Sequence, residues 1–227
     1  MAEAPRLRLS DLVTEFLLHD NRRHVFVEGR DDRAVIEWFL ESSSINDVQV
    51  QEIDSVEITA EDLCRHDLNE SNKSRVHILS REFESALKYS KPKIMCIVDA
   101  DFDFILDRVE NNKFLAYTDE ASLEMYAYFV EPLNRILKLG LKNFEGKADQ
   151  VLDDLEKVLH EVFLVRAVNE ELQLGLNWLS FERKCNISAD GTVTFDAEKF
   201  VSDYLNKNGS STFQMELNRF PSGAAIR

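Results

Sequence analysis

The sequence has few of the residues that mark linkers, disordered tails or membrane spans. Only seven glycines and four prolines occur among its 227 residues, which argues against a linker-rich or disordered chain. No apolar run approaches the roughly 18 residues of a candidate membrane span. The polar, charged start does not resemble a secretory signal, so we expect no association with a membrane.

Cysteine is also scarce. The three cysteines, Cys64, Cys96 and Cys185, are odd in number and far apart, so they match neither a disulfide framework nor the ligand spacing of a zinc site. Cys96 lies inside an apolar run, and we expect it to be a buried thiol. This usage of cysteine is typical of a reducing compartment, which predicts a cytoplasmic protein.

Basic residues are outnumbered as well. The chain has 27 lysines and arginines against 42 acidic residues, a net charge of -15. An acidic surface repels nucleic acid, so the charge alone slightly disfavours a nucleic-acid enzyme that works by itself. Such a function would need local basic patches, metal ions or a partner, whereas the simplest interpretation of the acidity is solubility.

The chain is rich in short apolar runs that alternate with helical patterns. Strands are predicted near residues 24–27, 48–53, 94–98 and 114–117, and helices near 10–20, 31–40, 72–89 and 122–137. This order predicts an α/β fold with a mainly parallel sheet flanked by helices.

Several local expectations follow from the same patterns. Ser10 is expected to cap the first helix, and Pro132 to kink or split the helix over 122–137. The helix over 31–40 is apolar nearly all round, and we expect it to be well buried. The strand over 94–98 is expected to be buried on both faces.

The helical period breaks between Gly140 and Gly146, which predicts a domain boundary there. We expect a first domain over residues 1–140 and a mostly helical C-terminal region over 146–227 with a small hairpin. The second region carries no motif. It is expected to dock a partner, form a homodimer or shape a substrate cleft.

Two of the predicted strands end in acidic residues. One apolar run leads into Asp99, Asp101 and Asp103, and an earlier one ends in Glu28. The carboxyl ends of neighbouring parallel strands meet at one edge, where open α/β sheets bind ligands, so Glu28, Asp99 and Asp101 are expected to converge. Clustered carboxylates repel each other unless a cation lies between them, and hard oxygen ligands suit Mg²⁺ or Mn²⁺. The sequence therefore predicts a divalent metal site.

The motifs resemble a known family when they are taken in chain order. They are Val27-Glu28-Gly29-Arg30-Asp31-Asp32, Val98-Asp99-Ala100-Asp101-Phe102-Asp103, Tyr117-Thr118-Asp119 and Leu123-Glu124-Met125-Tyr126. Glu-Gly followed by Asp-x-Asp resembles the TOPRIM fold of topoisomerases, primases and nucleases of the overcoming-lysogenization-defect type. The fuller pattern resembles a TOPRIM-like bacterial family that accompanies ABC- or AAA-type ATPases and includes the nuclease effector of the PARIS anti-phage system. The resemblance covers residues 22–140.

This resemblance implies a metal-dependent endonuclease that cleaves transfer RNA or another nucleic acid. Such a protein would be the toxic effector of a defence system, held and released by an ATPase partner. The resemblance implies that Asp99 and Asp101 hold Mg²⁺ or Mn²⁺, and that Glu28 binds the metal or acts as general acid or base. Glu124 matches the acid of the third motif and would complete the catalytic set.

Some candidate residues also have simpler interpretations. Asp32 and Asp103 are additional candidate metal ligands. However, Asp31 or Asp32 also suits a helix cap, and Asp103 suits a solvated loop. Glu124 is favoured in a first helical turn by the helix dipole alone. Basic residues near this edge either contact phosphates or, as the default, form surface ion pairs; they are Arg22, Arg23, Arg30, Arg33, Lys73, Arg75 and Arg81.

Other classes of function explain less of the sequence. A topoisomerase needs a nucleophilic tyrosine on a further DNA-binding domain, for which the chain is too short. A haloacid-dehalogenase-type phosphatase would leave Glu28 unexplained. The remaining alternative is a non-catalytic subunit of an ATPase complex that keeps the TOPRIM scaffold for binding or regulation.

Overall fold

A computed structural model of the protein describes residues 6–19, 22–87, 93–140, 144–181 and 184–209. The chain divides into two compact units, Met1–Tyr126 and Ala127–Arg227. This division lies earlier than the boundary predicted between residues 140 and 146. The reason is that the helix over 130–140 shares a core with the next helix, through Leu137 and Val151.

The described residues of the first unit form short strands and four helices. The strands are β1 (Leu7–Arg8), β2 (Arg23–Val27), β3 (Val48–Glu52), β4 (Val56–Glu57), β5 (Ile94–Val98) and β6 (Leu115–Tyr117). The helices are α1 (Leu9–Leu18), α2 (Arg30–Ser42), α3 (Ala60–Arg65) and α4 (Asn72–Ala86), with 3-10 turns at Ile53–Ser55 and Leu123–Ala127.

Four of these strands form a parallel sheet in the order β3-β2-β5-β6. The prediction of an α/β fold with a mainly parallel sheet and flanking helices is therefore confirmed. In the register, His24 lies opposite Ile94 and Phe26 opposite Cys96. Because β2 and β5 are parallel neighbours, the residues that follow them lie at the same edge of the sheet.

The core of the first unit lies on one face of this sheet. Phe26 and Cys96 point to that face, where Phe16 of α1 and Phe83 of α4 pack against them. Cys96 is fully buried as predicted, and burial raises the pKa of its thiol. Burial of each large apolar side chain stabilises the fold by about 2 kcal/mol, so this face anchors both β2 and β5.

The opposite face is covered less completely, and two predictions about it are wrong. Met95 and Ile97 of β5 are only half-buried, so the strand is not buried on both faces. Helix α2 has no buried residue, and 68% of Trp38 and 55% of Phe39 are exposed. An apolar helix is buried only where another element covers it, and α2 packs beside the edge strand β3.

Two helix boundaries differ from or refine the expectations. Helix α1 begins at Leu9 with Arg8 as its N-cap, so the prediction that Ser10 caps it is wrong. The helical pattern over 122–137 is split into the 3-10 turn and a separate helix from Val130. Pro132 lies in the first turn of that helix, where its missing N–H costs no hydrogen bond.

The second unit consists of α5 (Val130–Gly140), α6 (Ala148–Glu171), α7 (Ala197–Asn208) and the antiparallel hairpin β7 (Cys185–Ile187) and β8 (Val193–Phe195). Gly146 packs tightly on the hairpin turn, because a Cβ there would lie 2.7 Å from the Asp190 carbonyl oxygen. Among the described helices of the chain, none combines the length and the apolar character needed to cross a membrane.

Candidate active site

The acidic edge is the set of residues that follow β2 and β5, namely Glu28, Asp99, Asp101 and Asp103. The Glu28 carboxylate oxygen Oε1 accepts a hydrogen bond from the Asp99 backbone N–H at 3.0 Å. The carbonyl oxygen of Glu28 accepts from the side-chain amide of Asn72, at the start of α4, at 2.9 Å. The structure thus brings Glu28 and Asp99 together and ties Glu28 to the first turn of α4.

Further hydrogen bonds hold the segment after β5 against the end of β6. Oδ1 of Asp99 accepts from the Leu123 backbone N–H at 3.1 Å, at the start of the 3-10 turn. The Ala100 N–H donates to the Thr118 hydroxyl at 2.9 Å, and the Asp101 N–H donates to the Ala121 carbonyl at 2.8 Å. Asp99 and Asp101 therefore lie on a loop whose backbone is held in place by several hydrogen bonds.

Asp101 adopts a left-handed backbone conformation with φ 46°. Aspartate tolerates this region better than most residues, but it still costs conformational energy. Strained residues of this kind persist where the surrounding structure holds them, and they cluster at functional sites. Here the strained residue is one of the acids that the sequence predicts to bind metal.

Lys73 of α4 supplies a positive charge to this edge. Its ammonium nitrogen lies 2.9 Å from Oδ2 of Asp101 and 2.8 Å from Oδ2 of Asp103. The side chains of Lys73 and Asp103 are 20% and 15% exposed, so solvent screens this contact less than a surface ion pair. Burial opposes the charge, but the hydrogen bonds with Asp103 and Asp101 raise the pKa of Lys73.

The neighbouring basic residues are engaged in the same way. Ion pairs with acidic side chains are formed by Arg22, Arg23, Arg33, Lys73, Arg75 and Arg81. The default expectation of salt-bridged basic residues is confirmed for these six, whereas Arg30, the seventh residue of the predicted set, forms no ion pair within the described part of the chain. A nucleic-acid ligand would have to compete with these carboxylates for the same cations.

The pKa of Glu28 is displaced toward neutrality. Burial raises it to about 7, and the charges of Asp99 and Asp101 act in the same direction. The hydrogen bond from the Asp99 N–H and the charge of Lys73 oppose this shift. Perturbed carboxyl groups of this kind are typical of functional sites, although ion-pair networks also produce them.

A second carboxylate cluster lies further along α4 and was not predicted from the sequence. Nδ1 of His77 lies 3.0 Å from Oε2 of Glu110, and the Arg81 guanidinium contacts the same carboxylate at 2.9 Å. The Glu110 backbone N–H donates to the Tyr117 hydroxyl at 2.9 Å. Burial would raise the pKa of Glu110, but the hydrogen bonds from His77 and Arg81 outweigh it and hold the pKa at about 2.

One signal in the sequence pointed to both clusters. Lys73, His77 and Arg81 are spaced by four along α4, so they share one face of the helix. The acids they contact all lie in the loop over residues 101–110. The pattern consists of three basic residues on one helix face, followed later in the chain by an acidic loop. It predicts contacts between the basic and acidic side chains only when the helix is known to pack beside the loop.

Two other predicted site residues are less closely tied to the edge. Oδ2 of Asp32 accepts from the Gly29 backbone N–H at 2.8 Å, which caps helix α2. The interpretation of Asp32 as a helix cap thus agrees with its observed contact, and the role of Asp32 as a metal ligand stays a prediction. Glu124 belongs to the 3-10 turn, but its side chain lies outside the described part of the chain.

The acidic edge fits a hard divalent cation in part. Within the described ranges, no three acidic, histidine or cysteine side chains converge as a ready-made metal cage. Mg²⁺, however, is usually held by one or two carboxylates, with waters and substrate phosphates completing its shell. Asp101 and Asp103 both reach one cationic nitrogen, that of Lys73. This pair therefore places two carboxylate oxygens around one point, which is the number of protein ligands that Mg²⁺ commonly uses.

A cleft of about 870 Å³ runs along the edge strand β3. Arg23, Arg33, Asp47 and Glu52 are among its lining residues, whereas none of the predicted site residues lines it. Its charged groups pair with each other. The strained Asp101 and the perturbed Glu28 lie at the acidic edge and do not line this cleft, so the acidic edge is the candidate site.

Comparison with known proteins adds no family to this picture. A scan against models of protein families finds no match, and a search of curated proteins finds no significant one.

Proposed function

We propose that this chain is a metal-dependent nuclease whose active site is the acidic edge. The observation that carries the proposal is the contact between Glu28 and Asp99, in which a carboxyl group with a pKa of about 7 lies beside further carboxylates. The order of the motifs along the parallel sheet supports a TOPRIM-like catalytic domain. The proposed enzyme is a Mg²⁺- or Mn²⁺-dependent endonuclease.

The residues of the edge suit phosphodiester hydrolysis. A divalent ion at Asp101 and Asp103, with Asp99 beside it, would supply the Lewis-acid charge that this reaction needs. Glu28 is suited to proton transfer, because a general acid or base works best when its pKa lies near the ambient pH. Its Oε1 accepts from the Asp99 N–H, so Oε2 is the oxygen that takes or gives the proton.

The wider biological role rests on the sequence resemblance alone. We propose that the substrate is transfer RNA or another nucleic acid, and that an ATPase partner holds the protein inactive until its toxic activity is needed. The net charge of -15 supports the need for a partner, since the protein's own field repels polyanions.

The test compares Glu28→Gln with Glu52→Gln, which changes a glutamate at the carboxyl end of the neighbouring strand β3. The purified protein is incubated with transfer RNA, other RNA or DNA in the presence of Mg²⁺ or Mn²⁺. We expect metal-dependent cleavage that falls by at least about 100-fold in Glu28→Gln and persists in Glu52→Gln. Cleavage that survives Glu28→Gln, or that survives chelation of the metal, would contradict the proposed site.

A second candidate function is a non-catalytic subunit that uses the same scaffold for binding. The observation that favours it is the ion pairing of Lys73 with Asp101 and Asp103, which satisfies these acids without a metal. Expression in living cells separates the two. A nuclease effector is toxic as wild type and harmless as Glu28→Gln, whereas a binding subunit behaves alike in both forms.

A further inference from the structure

We propose that Lys73 is a built-in counter-ion of the acidic edge. Its ammonium group occupies the position of a divalent cation between Asp101 and Asp103, and it must leave that position before a metal ion binds there. This inference rests on the proposed function for the identity of the edge as a metal site. It adds a positioning residue that sets the concentration at which the site accepts metal.

The geometry of Lys73 is that of a bridging cation. One nitrogen lies 2.9 Å from a carboxylate oxygen of Asp101 and 2.8 Å from one of Asp103. The two aspartates face the same point because their segment is a tight turn, in which the Asp103 N–H donates to the Ala100 carbonyl at 2.8 Å. A small divalent cation ligated by these two carboxylates would compete for the same volume.

The helix that carries Lys73 is held firmly at its start. The Ser71 hydroxyl caps α4 by accepting from the Ser74 N–H at 3.0 Å. The Asn72 side chain donates to the Glu28 carbonyl at 2.9 Å. The backbone of Lys73 is therefore fixed beside the edge, and only its flexible side chain has to move for the ammonium group to leave.

The acidic loop has a second attachment that does not depend on Lys73. His77 and Arg81, on the same face of α4, bind the Glu110 carboxylate. Departure of Lys73 from Asp101 and Asp103 therefore leaves the loop docked on the helix. The two carboxylates stay close together and free to bind another cation.

The balance of charge favours such an exchange. One ammonium group on two carboxylates leaves a net charge of one negative unit, whereas a divalent ion neutralises both. The acidic edge contains four carboxyl groups, those of Glu28, Asp99, Asp101 and Asp103, against the single ammonium group of Lys73. Lys73 thus stabilises the metal-free protein while it lowers the affinity for metal.

The test measures Mn²⁺ binding to the full chain by calorimetry, without any substrate. The variants are Lys73→Met, Lys73→Arg, which keeps the charge, and the matched control Lys157→Met. Lys157 forms a comparable ion pair, with its nitrogen 2.9 Å from Asp154, but on the exposed surface of the second unit. We expect Lys73→Met to bind Mn²⁺ at least about tenfold more tightly than wild type. Lys73→Arg and Lys157→Met should stay close to wild type.

An ion pair with a purely structural role would give a different result. Lys73→Met would then lower the melting temperature without tightening metal binding, and that outcome overturns the proposal. Equal affinity in all variants, or no Mn²⁺ binding by any of them, overturns it as well.

A measurement on the wild-type protein covers the case in which Lys73→Met does not fold. The side-chain ¹⁵N resonance of Lys73 should shift as Mg²⁺ is added, while that of Lys157 stays unchanged. A Lys73 resonance whose chemical shift does not change as Mg²⁺ is added would overturn the proposal. Failure of the proposed nuclease function can be distinguished from failure of this inference. If Lys73→Met binds Mn²⁺ more tightly but no form of the protein cleaves nucleic acid, Lys73 is a counter-ion and the protein is not a nuclease.

Discussion

The first unit contains two carboxylate clusters that α4 contacts in different ways. At Glu110, one carboxylate receives hydrogen bonds from two groups, those of His77 and Arg81, and its pKa falls to about 2. At the acidic edge, Lys73 is shared by Asp101 and Asp103. Beside them, the pKa of Glu28 rises to about 7.

The difference separates a structural cluster from a candidate functional one. At Glu110, the hydrogen bonds with His77 and Arg81 lower the pKa of the carboxyl group, so the acid is ionised near neutral pH, stabilises the fold and has no proton to offer. The acidic edge has four carboxyl groups against one ammonium group, and the pKa of Glu28 lies near neutrality. Perturbed groups of this kind are typical of functional sites.

The largest expected effect is a loss of nuclease activity at the acidic edge. Asp101→Asn removes a proposed metal ligand and should lower nuclease activity by at least about 100-fold. Asp47→Asn is the matched control, because Asp47 also pairs with a basic residue, Arg23, but away from the acidic edge. Cleavage rates measured at saturating Mg²⁺ check this. Equal loss in both variants would show that ion pairing, and not metal binding, matters.

A smaller effect concerns the stability that Glu110 provides. Glu110→Gln should lower the free energy of unfolding at pH 7 by about 2 kcal/mol, since it removes charged hydrogen bonds in a half-buried site. The folded pKa of about 2 lies below the ordinary value of 4.5. The stabilisation is therefore present above pH 4.5 and is lost as the pH falls toward 2.

Urea denaturation at pH 7 and at pH 3 measures this change. The exposed pair of Glu37 with Arg33 supplies the control Glu37→Gln, which should cost less than about 0.5 kcal/mol. A Glu110→Gln variant as stable as Glu37→Gln would show that the Glu110 cluster does not support the fold.

A third change isolates the backbone anchor of the Glu110 cluster. Tyr117→Phe removes the hydroxyl that accepts from the Glu110 N–H at 2.9 Å, which should cost about 1 kcal/mol of unfolding free energy. The carboxylate contacts with His77 and Arg81 stay in place, so the pH dependence of stability should match wild type. Denaturation across the same pH range checks both points, and an altered pH profile would contradict the second.

The smallest expected effect is a gain of stability at the acidic edge. The pKa of Glu28 is raised from 4.5 to about 7, so folding favours its neutral form. That stabilisation is complete below pH 4.5 and is lost as the pH rises through 7. In metal-free protein, Glu28→Gln should therefore melt about 2 °C above wild type at pH 8, with no gain at pH 4. Thermal melts in the presence of a chelator measure it, and a lower melting temperature at pH 8 would contradict the raised pKa.

Much of the framework was predictable from local patterns. The apolar runs ending in Glu28 and Asp99 identified β2 and β5, because a buried strand needs apolar residues and its end tolerates charged ones. The interpretation of Asp32 as a helix cap depended only on its spacing from Gly29, which is a local relation. The position of Cys96 in the core followed from its place in the strand.

Contacts between distant segments were not predictable in this way. The exposure of Trp38 and Phe39 on α2 depends on which elements cover the helix, and the apolar pattern of α2 does not specify them. The pairing of Glu110 with Arg81 joins a loop to a helix that is separated from it by a whole strand.

The amino-acid sequence by itself determined which segments form the parallel sheet and which acids follow its strands, since hydrophobic periodicity and strand ends are local properties. Only the tertiary structure decided that Lys73 lies between Asp101 and Asp103 and that Glu28 lies half-buried against Asp99. The physical reason is that ion pairing and desolvation depend on distance and dielectric surroundings. Both are set by how α4 and the loop after β5 pack together.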